Sequence, residues 1–185
     1  MIRYRMAIAL ATFLAGGAIG ARAQAQAPDP QNTLVIELKT GNVLIKLRPD
    51  VAPKHVERVK TLARQGFYNG VKFHRVIEGF MAQTGDPTGT GTGGSTLPDV
   101  PLEVSQPPLI YKRGSVGAAR TSDPNTFNSQ FFICFNDDGC RGLTGKYTVW
   151  GEVIEGMEHV DRITRGEPPR NPDVMLKVYV LADAQ

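Results

Sequence analysis

Two stretches of this 185-residue chain gather side chains able to do chemistry: Phe73-His74-Arg75-Val76-Ile77-Glu78-Gly79-Phe80-Met81-Ala82-Gln83 and Ser129-Gln130-Phe131-Phe132-Ile133. Phe80, Met81 and Phe132 are large and apolar, and Arg75, Gln83 and Gln130 beside them carry planar hydrogen-bonding groups. Taken singly, each aromatic or Met reads as core. Taken together they describe a shallow apolar pocket rimmed by guanidinium and amide donors, which suits a peptide and holds no nucleophile. Hydrolysis finds no support elsewhere, since there is no Gly-x-Ser-x-Gly elbow and no His-Glu-x-x-His. His55 falls in the polar part of a helix and His159 in a second helix, and both read as surface residues. His74 precedes Arg75 in a strand, where alternation sends the two side chains to opposite faces. Two Cys and three scattered His make no metal-ligand set, so no metal or cofactor is expected.

Composition bounds the partners. With 41% hydrophobic and 21% charged residues, 20 Gly, 13 Pro and 2 Cys, the chain is neither disordered, collagenous, disulfide-dense nor polytopic. The net charge of +3 comes from Arg3, Arg5 and Arg22 in the first 23 residues, which hold no acid; 18 basic and 18 acidic side chains remain beyond them. A nucleic-acid groove needs a basic stripe, and nothing is denser than Lys112-Arg113 or the helical Lys54, Arg58, Lys60 and Arg64. Five glycines between Gly85 and Ser95 invite a phosphate-loop reading, but the Gly-Lys-Ser/Thr ending is absent and no helix follows. The loop reads instead as backbone that takes unusual torsions or approaches a ligand closely.

The elements that must position these residues follow from periodicity. Residues 33–38 and 43–47 are β-rich runs around Thr40-Gly41-Asn42, a hairpin. Pro53 opens a helix with Val56, Val59, Leu62 and Ala63 on one face, and Gly66 closes it. Further strands are expected over 71–76, 80–84, 114–119, 130–135, 147–153 and 174–181, with a short helix over 156–164. Many short strands and two helices predict a mainly β fold, a closed antiparallel barrel capped by the helices, because closure removes exposed edges. One domain over 33–182 accounts for the folded part, after a polar leader over 24–32.

The chain resembles the cyclophilin family of peptidyl-prolyl cis/trans isomerases over about residues 33–182. The resemblance rests on FHRVIEGFMAQTGDPTGTGTGG (73–94), GSVGAARTSDPNTFNSQFFICF (114–135) and LTGKYTVWGEVIEGMEHVDRI (143–163). It implies an eight-stranded antiparallel barrel with two helices, acting without cofactor or metal on proline-containing polypeptides. Carried onto this sequence, it implies Arg75 as the catalytic donor and Gln83 as a polar support that orients Arg75 or the substrate carbonyl. It implies Phe80, Met81, Phe132 and Leu143 as the proline pocket, and Ala119, Arg120 and Gln130 as the peptide-binding rim. Against the best-known eukaryotic pattern, Gly142 stands where a Trp precedes the pocket Leu, and the segment from Phe132 to Leu143 is two residues longer. Tyr147 replaces a pocket His, and Arg120 stands where Asn is common. These departures argue against tight cyclosporin binding, and Arg120 suggests tolerance of acidic residues before proline. Trp150 reads as core. A second reading of the same barrel is a peptide-binding chaperone module with little turnover, and a third is a structural barrel with a vestigial site.

The start of the chain reads as an export signal. Arg3 and Arg5 precede an apolar run from Met6 to Ala21, and Ala21-Arg22-Ala23 or Ala25-Gln26-Ala27 supplies a small-residue cleavage site, giving a signal peptide over 1–23. The alternative is an uncleaved anchor, but the run is interrupted by Gly16, Gly17 and Gly20 and falls short of the ~20 residues of a spanning helix. No stable membrane insertion is expected after cleavage. Short n- and h-regions suit a Gram-negative bacterium and the periplasm, with eukaryotic secretion as the alternative. In an oxidising compartment Cys134 and Cys140 read either as a bridge across the turn-forming Phe135-Asn136-Asp137-Asp138-Gly139 or as two separate thiols. Nothing suggests more than a monomer.

Overall fold

The computed structural model describes residues 27–184. The expected export signal lies outside them. Thr33–Leu38 (β1) and Gly41–Leu47 (β2) form the hairpin, paired from Thr33↔Lys46 to Leu38↔Gly41. The other strands are Arg75–Ile77 (β3), Met81–Thr84 (β4), Ser115–Ala118 (β5), Phe131–Cys134 (β6), Val149–Glu155 (β7) and Lys177–Val180 (β8). All pairings are antiparallel in one eight-stranded sheet of order β3-β4-β6-β5-β7-β2-β1-β8. The fold class is therefore the expected one, with one difference in how the barrel closes. The outermost strands, β3 and β8, are too short to run alongside each other. The segments just before them pair instead, through Phe73 N–H to Asp173 O (2.9 Å), Met175 N–H to Val71 O (3.0 Å) and Gly70 N–H to Met175 O (2.6 Å).

The inner face holds the main core, including Leu34, Ile36, Ile45, Val76, Ala82, Val116, Phe131, Ile133 and Trp150. Trp150 is fully buried and meets Phe131 edge-on at 5.3 Å. The first helix, α1 (Pro53–Arg64), lays His55, Val56, Val59, Leu62 and Ala63 inward. Its first residues lack a local side-chain cap. Glu103 supplies one from a distance, accepting from Lys54 N–H (3.2 Å) and His55 N–H (3.0 Å). That carboxylate also corrects the surface reading of His55. The imidazole is buried, bonded to Glu103 through Nδ1 at 2.7 Å and stacked on Phe127 at 4.5 Å. Its partners lie 48 or more positions away, out of reach of helical periodicity.

The second helix, α2 (Met157–Val160), is shorter than the expected 156–164. Beyond Val160 the chain continues in i→i+3 turns, and Arg165 Nη1 caps the carbonyls of Asp161 (2.8 Å) and Ile163 (2.5 Å) in place of helical amides. Ile163 nonetheless reaches the core, as its spacing predicts. His159 is half-buried rather than fully on the surface: its ring lies over Gly41, where any Cβ would collide with it. No helix among the described residues is long and apolar enough to cross a membrane.

Candidate functional site

The site is a row across four strands. Arg75 on β3 stands opposite Gln83 on β4, Gln83 opposite Phe132 on β6, and Phe132 opposite Gly117 on β5. Cross-strand partners share a face, and this face points away from the core, because the alternate residues Val76, Ala82, Ile133 and Val116 point into it. Met81, two residues from Gln83, lies on the same outer face opposite Ile77 and Cys134. His74 is buried, with its ring beside Gly91.

A second apolar cluster forms on that outer face. Met81, Phe132, Tyr111, Cys134 and Cys140 are buried in it, with Phe80, Ala119, Leu143 and Tyr147 half-buried around them. Phe132 is stacked on Tyr111 (5.7 Å between ring centroids) and meets Tyr147 edge-on (6.3 Å). Gly117 is opposite Phe132 because nothing larger fits: a Cβ there would run into the Phe132 ring and the Tyr111 hydroxyl. Leu143 comes from the 3-10 turn Arg141–Leu143, whose preceding residue, Cys140, is disulfide-bonded to Cys134 with a Cα separation of 6.2 Å. The bridge therefore ties the turn bearing Leu143 to the strand bearing Phe132. The outcome is an apolar patch floored by Met81 and Phe132 and edged by Phe80, Leu143 and Tyr147.

A polar chain runs along the other side. Gln130 Nε2 donates to the carbonyls of Gly91 (3.0 Å) and Gly93 (2.9 Å), so its Oε1 must face away and accepts from Gln83 Nε2 (3.0 Å). Gln83 Oε1 is thereby turned to Arg75, whose Nη1 donates to it at 3.4 Å, while Arg75 Nε donates to Glu167 Oε1 at 2.7 Å. The two backbone carbonyls set the sense of every amide in the series. Beside it opens a groove of about 530 Å³ lined by Gln83, Gly91 to Gly94, Asp99, Ala119, Arg120, Thr126 and Gln130, among others.

The glycine-rich loop has torsions that suit glycine, with φ of +92° at Gly85, +69° at Gly89 and +88° at Gly91. Its amides are not free for a phosphate. Asp86, fully buried, accepts from the N–H groups of Thr88, Thr90, Gly91 and Gly93. Burial opposes ionisation of Asp86, but the Thr88 hydroxyl and the amides of Gly93, Thr88 and Gly91 outweigh it and hold the carboxyl well below its ordinary range. The loop wraps its own anion, and so presents the Gly91 and Gly93 carbonyls outward to Gln130.

Arg120 is placed differently from what its charge suggests. Its guanidinium lies over the Tyr147 ring at 4.1 Å and donates to the carbonyls of Thr121 (2.8 Å), Ser122 (3.3 Å) and Lys146 (3.0 Å). It packs on Tyr147 at the end of the patch, with both Nη nitrogens engaged by backbone carbonyls. Three residues of the site escaped the sequence reading. Gly117 lies within the GSVGAARTSDPNTFNSQFFICF stretch, the one local signal that could have found it. Tyr111, whose hydroxyl donates to Thr148 O at 3.1 Å, and Glu167, 92 positions from Arg75, carry no local signal.

Comparison with known proteins gives the family. A family model described as cyclophilin type peptidyl-prolyl cis-trans isomerase/CLD matches residues 33–181. A probable peptidyl-prolyl cis-trans isomerase of Brucella suis is 49% identical over 98% of both chains. A peptidyl-prolyl cis-trans isomerase of Helicobacter pylori is 43% identical over 71% of this chain and 80% of its own. Among solved structures, a cyclophilin from Hirschia baltica superposes with a TM-score of 0.77 at 31% identity, covering 85% of this chain and 76% of that one. A Cryptosporidium parvum cyclophilin crystallised in the presence of the dipeptide Ala-Pro gives 0.72 at 29% identity, over 80% of this chain and 98% of that one.

Proposed function

This chain belongs to the cyclophilin-type peptidyl-prolyl cis-trans isomerases and accelerates rotation about X–Pro bonds, and from that premise we propose that Arg75 is the group that does so. Rotation is opposed by about 18–20 kcal/mol of C–N double-bond character. At the twisted geometry the proline nitrogen no longer conjugates with the carbonyl and becomes pyramidal and basic. A guanidinium N–H can bond that lone pair only while it is free. The donor therefore favours the twisted state over either planar one, which is how a site lowers a barrier without breaking a bond.

The remaining residues divide the other tasks. Met81 and Phe132, with Phe80, Leu143 and Tyr147 around them, hold the ring while the acyl side turns. Gln83 orients Arg75: its Oε1 faces the guanidinium and its Nε2 is engaged by Gln130. Ala119, Arg120 and Gln130 line the groove along which flanking peptide residues run. The observation that carries this reading is the row Arg75–Gln83–Phe132 on one outward face, with Met81 beside it. With strands about 5 Å apart, Arg75 and Phe132 begin about 10 Å apart, a span that the Arg side chain and a proline ring held on Phe132 can bridge together. A protease-coupled proline-peptide assay on Arg75→Ala tests it; turnover near wild type would refute the role.

The substrates we propose are exported polypeptides whose folding the enzyme assists in the periplasm, with the enzyme acting as a monomer. The cationic, apolar and small-residue order of residues 1–23 supports this, as does the Cys134–Cys140 bridge, a bond that persists in oxidising compartments. Fractionation of cells expressing the full chain, with N-terminal sequencing of the product, is the check. Uncleaved protein in the cytoplasm would sink the proposal. Sedimentation of the purified protein decides the oligomeric state.

A further inference from the structure

We infer that Glu167 is a positioning residue for Arg75, holding the guanidinium by its Nε so that the remaining N–H groups are presented to the apolar patch. The inference rests on the reading of Arg75 as the donor to the proline nitrogen.

The placement of Glu167 is a matter of register. β3 is the outermost strand of the sheet, and on its open side Val76 and Gly166 exchange both backbone hydrogen bonds, Val76 N–H to Gly166 O and Gly166 N–H to Val76 O, each 2.8 Å. This is an isolated antiparallel bridge. One step along it, Arg75 and Glu167 become direct cross-strand neighbours, as Arg75 and Gln83 are on the other side. Arg75 is thus flanked on both sides by residues whose backbones are fixed.

The two flanking side chains take different nitrogens of Arg75: Nε goes to Glu167 Oε1 at 2.7 Å and Nη1 to Gln83 Oε1 at 3.4 Å. A planar group held at two separate nitrogens has its plane set as well as its position. Both hydrogens of Nη2 and one of Nη1 are left over for a substrate. Of the two anchors, the contact to Glu167 is shorter and charge-assisted, hence the stronger. Packing does not do the same work, because the Arg75 side chain is 42% exposed. Without an anchor such a side chain spreads over many rotamers, and the fraction poised over a pyramidal nitrogen falls. Glu167 is itself 52% exposed, and exposed pairs contribute little to folding stability. Its removal should therefore be felt in catalysis and hardly at all in stability.

The test compares Glu167→Ala, Glu167→Gln, Arg75→Ala and the double variant Arg75→Ala/Glu167→Ala in the purified protein, reading kcat and KM separately along with Tm. Glu167→Ala should lower kcat about fivefold, the equivalent of about 1 kcal/mol, with KM and Tm unchanged. Glu167→Gln should recover most of that loss, since an amide oxygen still accepts from Nε–H. The double variant should be no slower than Arg75→Ala alone. In nitrogen-resolved NMR the Arg75 Nε–H signal should be protected from exchange in wild type and Glu167→Gln and unprotected in Glu167→Ala. Wild-type kcat in Glu167→Ala while Arg75→Ala is inactive overturns the inference alone. So does a Glu167→Ala loss that persists undiminished in the Arg75→Ala background, or a loss that Gln does not repair. Near-wild-type turnover by Arg75→Ala overturns instead the reading on which it rests.

Discussion

Arg75 and Gln83 face each other across neighbouring strands, Nη1 to Oε1 at 3.4 Å, and the amide is turned to the guanidinium because two glycine carbonyls hold Gln130 on its far side. A residue on β3 is thus oriented by a loop that begins after β4. The Gln83 amide that meets the Arg75 guanidinium is turned by backbone that never touches it.

Replacing Arg75 should expose that dependence first. We expect Arg75→Ala to lower kcat/KM at least tenfold, about 1.4 kcal/mol of barrier, with Tm unchanged because the side chain is partly exposed. Arg75→Lys should be nearly as poor, since a point charge lacks the fork that fixes donor direction. A coupled proline-peptide assay with a parallel melting curve checks both.

Gly117→Ala should damage the patch while leaving Arg75, Gln83 and Gln130 in place. Its methyl would press on the Phe132 ring and the Tyr111 hydroxyl, both buried. We expect a loss of about 1–3 kcal/mol of stability from overpacking and a raised KM from the displaced ring. Urea unfolding and substrate titration read the two effects. A variant with wild-type KM would show that Phe132 does not meet the ring.

Reduction of Cys134–Cys140 should act on the same patch from its other end. The bridge closes a short loop, with the cysteines six positions apart, so its loss should cost about 2 kcal/mol by the chain-entropy estimate. Because Leu143 follows Cys140 in one turn, the loss should also raise KM more than it lowers kcat. Assays with and without a thiol reductant, and on Cys134→Ala/Cys140→Ala, measure this. Identical kinetics in both states would separate the bridge from the site.

Stability should fall in two steps on acidification. Burial pushes the pKa values of His55 and His74 below the ordinary value, against opposing interactions with Glu103 and Asp86 respectively. The unfolded chain therefore takes up protons that the folded one refuses, and stability drops as pH falls below about 6.5. Asp86 is depressed as well, so the stability it provides is fully present above about pH 4 and is lost as pH falls toward its folded value. Asp86→Asn should be less stable at neutral pH and show a smaller acid-side decline. Denaturant melts across pH give the answer, and an unchanged acid limb would rule the carboxylate out.

Much of this was legible in the order of residues. Period-two runs gave the hairpin and the strands, and the spacing of Val56, Val59, Leu62 and Ala63 gave the helix, because in both cases the buried face repeats within a few residues. The residue types around Arg75, Met81 and Phe132 described an apolar pocket beside planar donors, while the register that puts them on one face came from strand pairing. The limits appear where a partner is distant. His55 looked polar because Glu103 and Phe127 come from other parts of the chain, and Arg120 looked like a free charge because Tyr147 and Lys146 are joined to it only by folding.

What the sequence alone determined is therefore the set of local periodicities and the chemical inventory: a β fold with one good helix, an apolar group beside planar donors, and no nucleophile among them. The tertiary structure decided where each donor points. Glu167 reaches Arg75 only through the bridge between Val76 and Gly166, and Gln83 is turned by carbonyls of Gly91 and Gly93. The reason is physical: which side chains share a face is a property of a few adjacent torsions, whereas the direction of a hydrogen bond depends on strand register between segments far apart in the chain.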